Sequence, residues 1–237
     1  MNLVEQHIIR RAPNLMQADV FHARDENGEE YVVKDASGRP VVARALYIRR
    51  ALRHESDTLQ RLENISGIPQ YCGFDGPDRL IISYLSHQKT LPGNRDHQRS
   101  EFPPPVFFDT LEEMVEKMHK RGVAHGDIRR RNILVDGDNP CLIDFGTAVI
   151  RDARPHWFHR RLFNFVKRVD TIKVVKLKQA YYPEHVTETE KTLLEDKPWL
   201  LRAGEFYRKR IYRSLFKQKR WKERWQRLKT SRKEDLS

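Results

Sequence analysis

The stretch His125–Gly146, HGDIRRRNILVDGDNPCLIDFG, decides how the rest of the chain is read. Two short apolar runs, Ile133-Leu134-Val135 and Cys141-Leu142-Ile143, flank a turn at Asp136-Gly137-Asp138-Asn139-Pro140, which is the pattern of a tight hairpin. Asp127 and Asn132 precede the first run and Asp144 follows the second. The hairpin would therefore gather two carboxylates and an amide at one end. Such a set can hold Mg²⁺, which takes hard oxygen ligands and keeps water or phosphate in its shell. Asp127 is then free to orient an attacking hydroxyl and take its proton.

Composition sets the outer bounds. The chain has 237 residues, enough for one good-sized core or two small lobes, and its 38% apolar share suits a soluble globular protein. Lys and Arg number 45 against 33 Asp and Glu, a formal charge of +12, which favours an anionic partner such as a nucleotide, a nucleic acid or an acidic lipid surface. The two cysteines, Cys72 and Cys141, are far apart and in no metal-like spacing, so a reducing cytoplasm is expected. No apolar run approaches a membrane span, and the opening residues do not read as a signal peptide.

The mid-chain pattern, H-x-D-x-x-x-x-N followed by D-F-G, resembles the catalytic and metal-binding loops of the protein-kinase superfamily. The resemblance implies an α+β, bilobal protein-kinase-like fold. A small antiparallel β N-lobe would occupy residues 1–85, a reduced helical C-lobe 86–199, and a basic amphipathic C-terminal helix 200–237. It further implies ATP and Mg²⁺ as cofactors, with Asp127, Arg129 and Asn132 catalytic and Asn132 and Asp144 on the metal. The nucleotide would meet Val20, Val32, Lys34, Glu55, Leu134 and Asp144, and the backbone of a hinge at Ser83-Tyr84-Leu85 would read the adenine edge.

Upstream, residues 8–34 read as an antiparallel ribbon turning at Asp25-Glu26-Asn27-Gly28. Lys34 ends the run Tyr31-Val32-Val33-Lys34, where a kinase strand carries its phosphate-pairing lysine. Taken alone it reads as a solvated strand-end lysine. Residues 42–63 read as a helix with an apolar stripe of Ala45, Ile48, Ala51, Leu52, Leu59 and Leu62. Glu55 on that helix is either the partner of Lys34 or a surface glutamate beside Arg53. Two more strands are expected at Ile68–Gly73 and Leu80–Leu85, then a polar, proline-rich loop over 87–105. A helix over 106–122 puts Phe107, Leu111, Met114, Val115 and Met118 on one face and ends at Gly122.

The chain departs from the kinase pattern in three places. The glycine positions of the phosphate loop fall on Pro13, Leu15 and Ala18, where backbone N–H groups would normally come close to the phosphates. Gly126 stands where an arginine usually clamps an activation-loop phosphate, so no switch of that kind is expected. No A-P-E follows Gly146 at useful spacing; a helix over Trp157–Leu177 follows instead, with Leu162, Phe163, Val166, Val169 and Val175 apolar and Asp170 set to support the catalytic loop. Thr187-x-x-Glu190 is a capping box for a further helix. Arg129 can neutralise charge on a transferred phosphoryl group. Arg130 and Arg131 do the same for an anionic acceptor or are simply solvated.

From Trp199 onward, Phe206, Tyr207, Ile211, Leu215, Trp221, Trp225 and Leu228 recur at near-helical spacing among arginines and lysines. The first half of this run reads as a terminal helix packing on the large lobe. The Trp221–Lys229 half reads as a surface for an anionic membrane or nucleic acid. In style the chain is closest to small bacterial or atypical kinases: lipopolysaccharide-core sugar kinases and RIO-type and Bud32-type protein kinases. A protein Ser/Thr hydroxyl is the first acceptor considered, a glycolipid sugar of the lipopolysaccharide core the second, and a pseudokinase scaffold is the third reading. The expected location is the cytoplasm, with the inner membrane face as a peripheral site.

Overall fold

The Asp25–Gly28 turn sets the first hairpin. The Asp25 carboxylate accepts from the backbone N–H groups of Asn27 and Glu29, both at 2.9 Å, and Gly28 N–H donates to the Asp25 carbonyl at 3.1 Å. Short acids that bond their own backbone nucleate such turns. The turn joins β2 (Asp19–Asp25) to β3 (Glu30–Asp35) in the computed structural model, which describes residues 3–12, 14–85, 89–94, 101–151 and 157–195. With β1 (Leu3–Arg10), β4 (Tyr71–Asp75) and β5 (Arg79–Ser83), they form an antiparallel sheet in the order β1-β2-β3-β5-β4. The ribbon thus begins at Leu3, five residues before the pattern suggested.

The helix that packs on this sheet is α1 (Val41–Ala43), a π-helical turn (Arg44–Ile48) and α2 (Arg49–Arg61) in succession. Ile48, Leu52, Leu59 and Leu62 are buried, as the stripe requires. Ala45 is exposed, because the wider π turn rotates the preceding residues off the stripe.

The remaining elements build a helical lobe. Pro105 opens α3 (Pro105–Lys120), a position its fixed φ favours. The helix buries Phe107, Phe108, Leu111, Met114, Val115 and Met118. The long α4 (Trp157–Tyr181) lies beside it, with Phe163, Val169, Ile172, Val174 and Val175 buried and Leu162 exposed, contrary to the stripe expected there. Lys178 of α4 bonds Asp109 of α3 at 2.9 Å.

Against α3 lies a three-stranded sheet of β6 (Lys89–Thr90), β8 (Ile133–Asp136) and β9 (Asn139–Leu142). The polar loop therefore hides a short strand. The hairpin turn is tighter than expected, since Asn139 and Pro140 already pair with β8. A second pair joins β7 (Val123–Ala124) to β10 (Val149–Ile150). This is an α+β architecture with a sheet lobe followed by a helical lobe. Contacts divide the chain at Thr187/Glu188, and α5 (Glu188–Glu195) opens the second unit directly after Thr187. The basic stretch 200–237 lies outside the described residues, as does Pro13. No described helix is long and apolar enough to cross a membrane.

Gly67 anchors the hairpin to the helical layer. Its carbonyl accepts from Leu142 N–H at 2.8 Å, its φ is +79°, and an added Cβ would collide with the Pro140 carbonyl and the Met114 methyl. Gly67→Ala is therefore expected to cost about 2–4 kcal/mol, combining left-handed strain with overpacking. Urea unfolding checks it, and a loss under about 0.5 kcal/mol would show that the backbone yields freely.

Candidate active site

The hairpin closes on itself at the end where its acids stand. Ile143 N–H donates to the Asn132 carbonyl at 2.9 Å, which brings Asn132 next to the backbone that leads into Asp144. The Asn132 amide donates to the Asp127 carbonyl at 2.9 Å and to its Oδ2 at 3.2 Å. Arg129 also pairs with Oδ2, at 2.8 Å. Among the described residues, Asp127 Oδ1 is left without either partner. Asp144 sits in the left-handed region, φ 70° and ψ 71°.

Lys34 meets this group from the sheet lobe. Its ammonium donates to both oxygens of Glu55, at 2.6 and 2.7 Å, and lies 3.7 Å from Asp144 Oδ1. The Glu55 side chain is only 5% exposed, which settles it as the partner of Lys34 rather than a surface residue beside Arg53. The same Glu55 oxygen, Oε1, accepts from Phe145 N–H at 3.2 Å. Next to it, the His54 ring is bonded to the Ala148 carbonyl at 2.7 Å. Burial works against the Lys34 charge, but Glu55 and Asp144 outweigh it and hold the ammonium above the ordinary lysine value. Burial likewise opposes the Asp144 charge, yet Lys34, then Arg10, keep it below the ordinary carboxylate value.

A cavity of about 780 Å³ opens between these parts. Val20, Val32, Ile82, Leu134 and Ile143 give it apolar walls, and Ser83, Tyr84 and Leu85 form one edge. Lys34, Asp144, Asn132 and Arg129 stand at its polar end. Ten of the twelve residues singled out from sequence line this one space. The other two, Glu55 and Asp127, are bonded to residues that do. Sequence reasoning missed the contribution of β1, from which His7, Ile8, Ile9 and Arg10 reach the cavity; Arg131, read as either a neutraliser of an anionic acceptor or a solvated residue, also lines it. The paired Ile8-Ile9 was a signal for a strand, but no turn marked its start.

The loop that leads from His125 to Asn132 rests on Asp170, which is fully buried in α4. Its carboxylate accepts from the backbone N–H groups of His125 (2.6 Å) and Gly126 (3.0 Å), and lies 3.4 Å from His119 Nε2. The buried His125 ring accepts from Asp127 N–H at Nδ1 (3.2 Å) and is bonded through Nε2 to the Ile143 carbonyl (3.2 Å). An accepting Nδ1 requires a neutral ring, and burial pushes His125 below the ordinary imidazole value despite nearby Asp170. Among the described residues, no three His, Cys, Asp or Glu side chains converge as a metal cage.

Comparison with known proteins bears on this geometry. The RIO domain pattern matches residues 36–189, well over half of the chain. A probable serine/threonine-protein kinase of fowlpox virus is 30% identical over 87 residues, 34% of this chain and 30% of its own length. The EKC/KEOPS complex subunit BUD32 of Debaryomyces hansenii is 30% identical over 79 residues, 33% of this chain and 30% of its own. A probable serine/threonine-protein kinase of Bacillus subtilis is 28% identical over 126 residues, 50% of this chain and 47% of its own. The matches thus span between about a third and a half of these relatives.

Proposed function

The chain belongs to the RIO domain family, and from that premise we propose that it moves the γ-phosphoryl group of Mg-ATP to a protein Ser/Thr hydroxyl. Family membership supports a protein-kinase-like phosphotransferase in general terms; the acceptor and the residue roles are the proposal. The observation that carries it is the Lys34–Glu55 pair set beside Asp144 at the polar end of a cavity that Asn132 also lines, with Asp127 bonded to Asn132.

The residues present fit a nucleotide and its cation. Apolar walls suit a flat base, and pockets of this volume commonly take such ligands. Asp144 and the Asn132 amide oxygen would hold Mg²⁺, which commonly rests on one or two protein oxygens and takes the others from phosphate and water. Bound Mg-ATP would supply the phosphoryl group and a cation to neutralise its oxygens. Lys34, fixed by Glu55, would position the phosphates. Asn132 and Arg129 hold Asp127 by one oxygen, leaving Oδ1 to orient the acceptor hydroxyl and take its proton. Catalysis of this kind rests on positioning and charge neutralisation.

The three-part division at 85 and 199 goes with this reading: a nucleotide lobe, an acceptor lobe, and a basic tail for an anionic membrane surface or nucleic acid, all in a reducing cytoplasm. A glycolipid sugar of the lipopolysaccharide core is the second reading, favoured by that tail. Radiolabelled ATP offered with the full chain to total lysate, then split into protein and glycolipid fractions, separates them. Label on protein serine or threonine is expected. Label confined to glycolipid would overturn the acceptor assignment, and no label in either fraction would favour a scaffold without activity.

A further inference from the structure

The phosphate loop lacks the glycines that let backbone N–H groups approach an anion, since Leu15 and Ala18 hold two of those positions and Pro13 the third. Strand β1 presents a substitute. Its pairing with β2 skips a residue: Ile8 opposes Phe21 and Arg10 opposes Val20, with Ile9 the extra residue between them. A β-bulge of this sort re-aims the side chains that follow it. Without it Ile9 would face Val20, and Arg10 would fall opposite Asp19. Directly opposed residues share a face of the sheet. Val20 lines the cavity, and so does Arg10, together with Lys34 and Asp144.

The surroundings leave this guanidinium available. Among the described residues it makes no hydrogen bond or close ion pair. Asp19, one step along β2, is already engaged by Ala12 N–H at 2.7 Å and by Arg39. Arg10 also acts on both charged groups at the polar end, favouring the ionised form of Asp144 and opposing the charge on Lys34. A cation placed beside another cation is poised for an anion larger than one carboxylate. An arginine offers a triphosphate several N–H donors in a planar fork.

We infer that Arg10 is a phosphate-binding residue of the nucleotide site, brought over the cavity by the β1 bulge and taking the part of the missing loop glycines. The inference rests on the nucleotide reading above. The test is calorimetric binding of ATP and of adenosine, each with Mg²⁺, to the full chain. Arg10→Ala is expected to weaken ATP roughly tenfold or more, the scale of a charge-assisted hydrogen bond, while adenosine binds within about twofold of the unsubstituted chain. Arg10→Lys should recover part of the loss. Arg11→Ala, which removes the neighbouring charge outside the cavity, should bind ATP within about twofold of the unsubstituted chain. If Arg10→Ala fails to fold, Arg10→Gln carries the same expectation.

Undiminished ATP affinity in the variant, or an equal loss for adenosine, would overturn the inference. An unsubstituted chain that binds neither ATP nor adenosine would instead overturn the nucleotide reading beneath it.

Discussion

Asp127→Ala is expected to lower the rate of phosphoryl transfer by about 10²–10⁴-fold and to leave ATP affinity within about twofold, because on the proposed reading it removes a proton acceptor and not a phosphate contact. The structure says why the fold should survive. Asp127 is partly exposed, and the Asn132 amide keeps its 2.9 Å bond to the backbone carbonyl of residue 127 when the side chain goes. Arg129, half exposed, returns to water. No buried group is orphaned, so the stability change should stay under about 1 kcal/mol. Single-turnover kinetics, ATP titration and thermal unfolding of the same variant make the check. A variant that transfers phosphate at the original rate would remove Asp127 from the chemistry. One that unfolds would make it a structural residue.

Asp170→Ala should act on stability instead. Its carboxylate serves the backbone N–H groups of His125 and Gly126 and faces His119, all inside the helical lobe. Removing it strands these donors away from water, at about 1–3 kcal/mol for each unsatisfied group. A total near 3–5 kcal/mol is expected, lowering Tm by roughly 10 °C in a unit of this size. Asp170→Asn, which keeps one accepting oxygen, should lose less. If both variants melt within about 2 °C of the original, the loop does not depend on this support.

The parts that were legible in the sequence are those written in local patterns. Asp25–Gly28 announced its hairpin through turn chemistry, and the spacing of Asp127, Asn132 and Asp144 followed from two apolar runs around a turn. Lys34 and Glu55 were legible only as a pair of candidates, each with an ordinary surface reading. What decides between the readings is a distance between elements, and periodicity carries no distances. The π turn at Arg44–Ile48 and the β1 bulge at Ile9 were illegible for a related reason: one extra residue leaves composition unchanged and alters only which way the neighbours face. Gly126 shows the sequence reading to be incomplete. Its φ is +78°, and a Cβ there would come within 2.9 Å of the Thr147 carbonyl. The backbone itself excludes the arginine usual at that position, beyond the loss of any phosphate clamp.

Glu55 has one further consequence. A single oxygen of this carboxylate is held by the Lys34 ammonium and by the Phe145 amide at once. Carrying this carboxylate away would take both contacts with it. Outward drift of α2 would untether the lysine and loosen the loop beginning at Asp144 in the same movement, so the cleft assembles or comes apart as a whole.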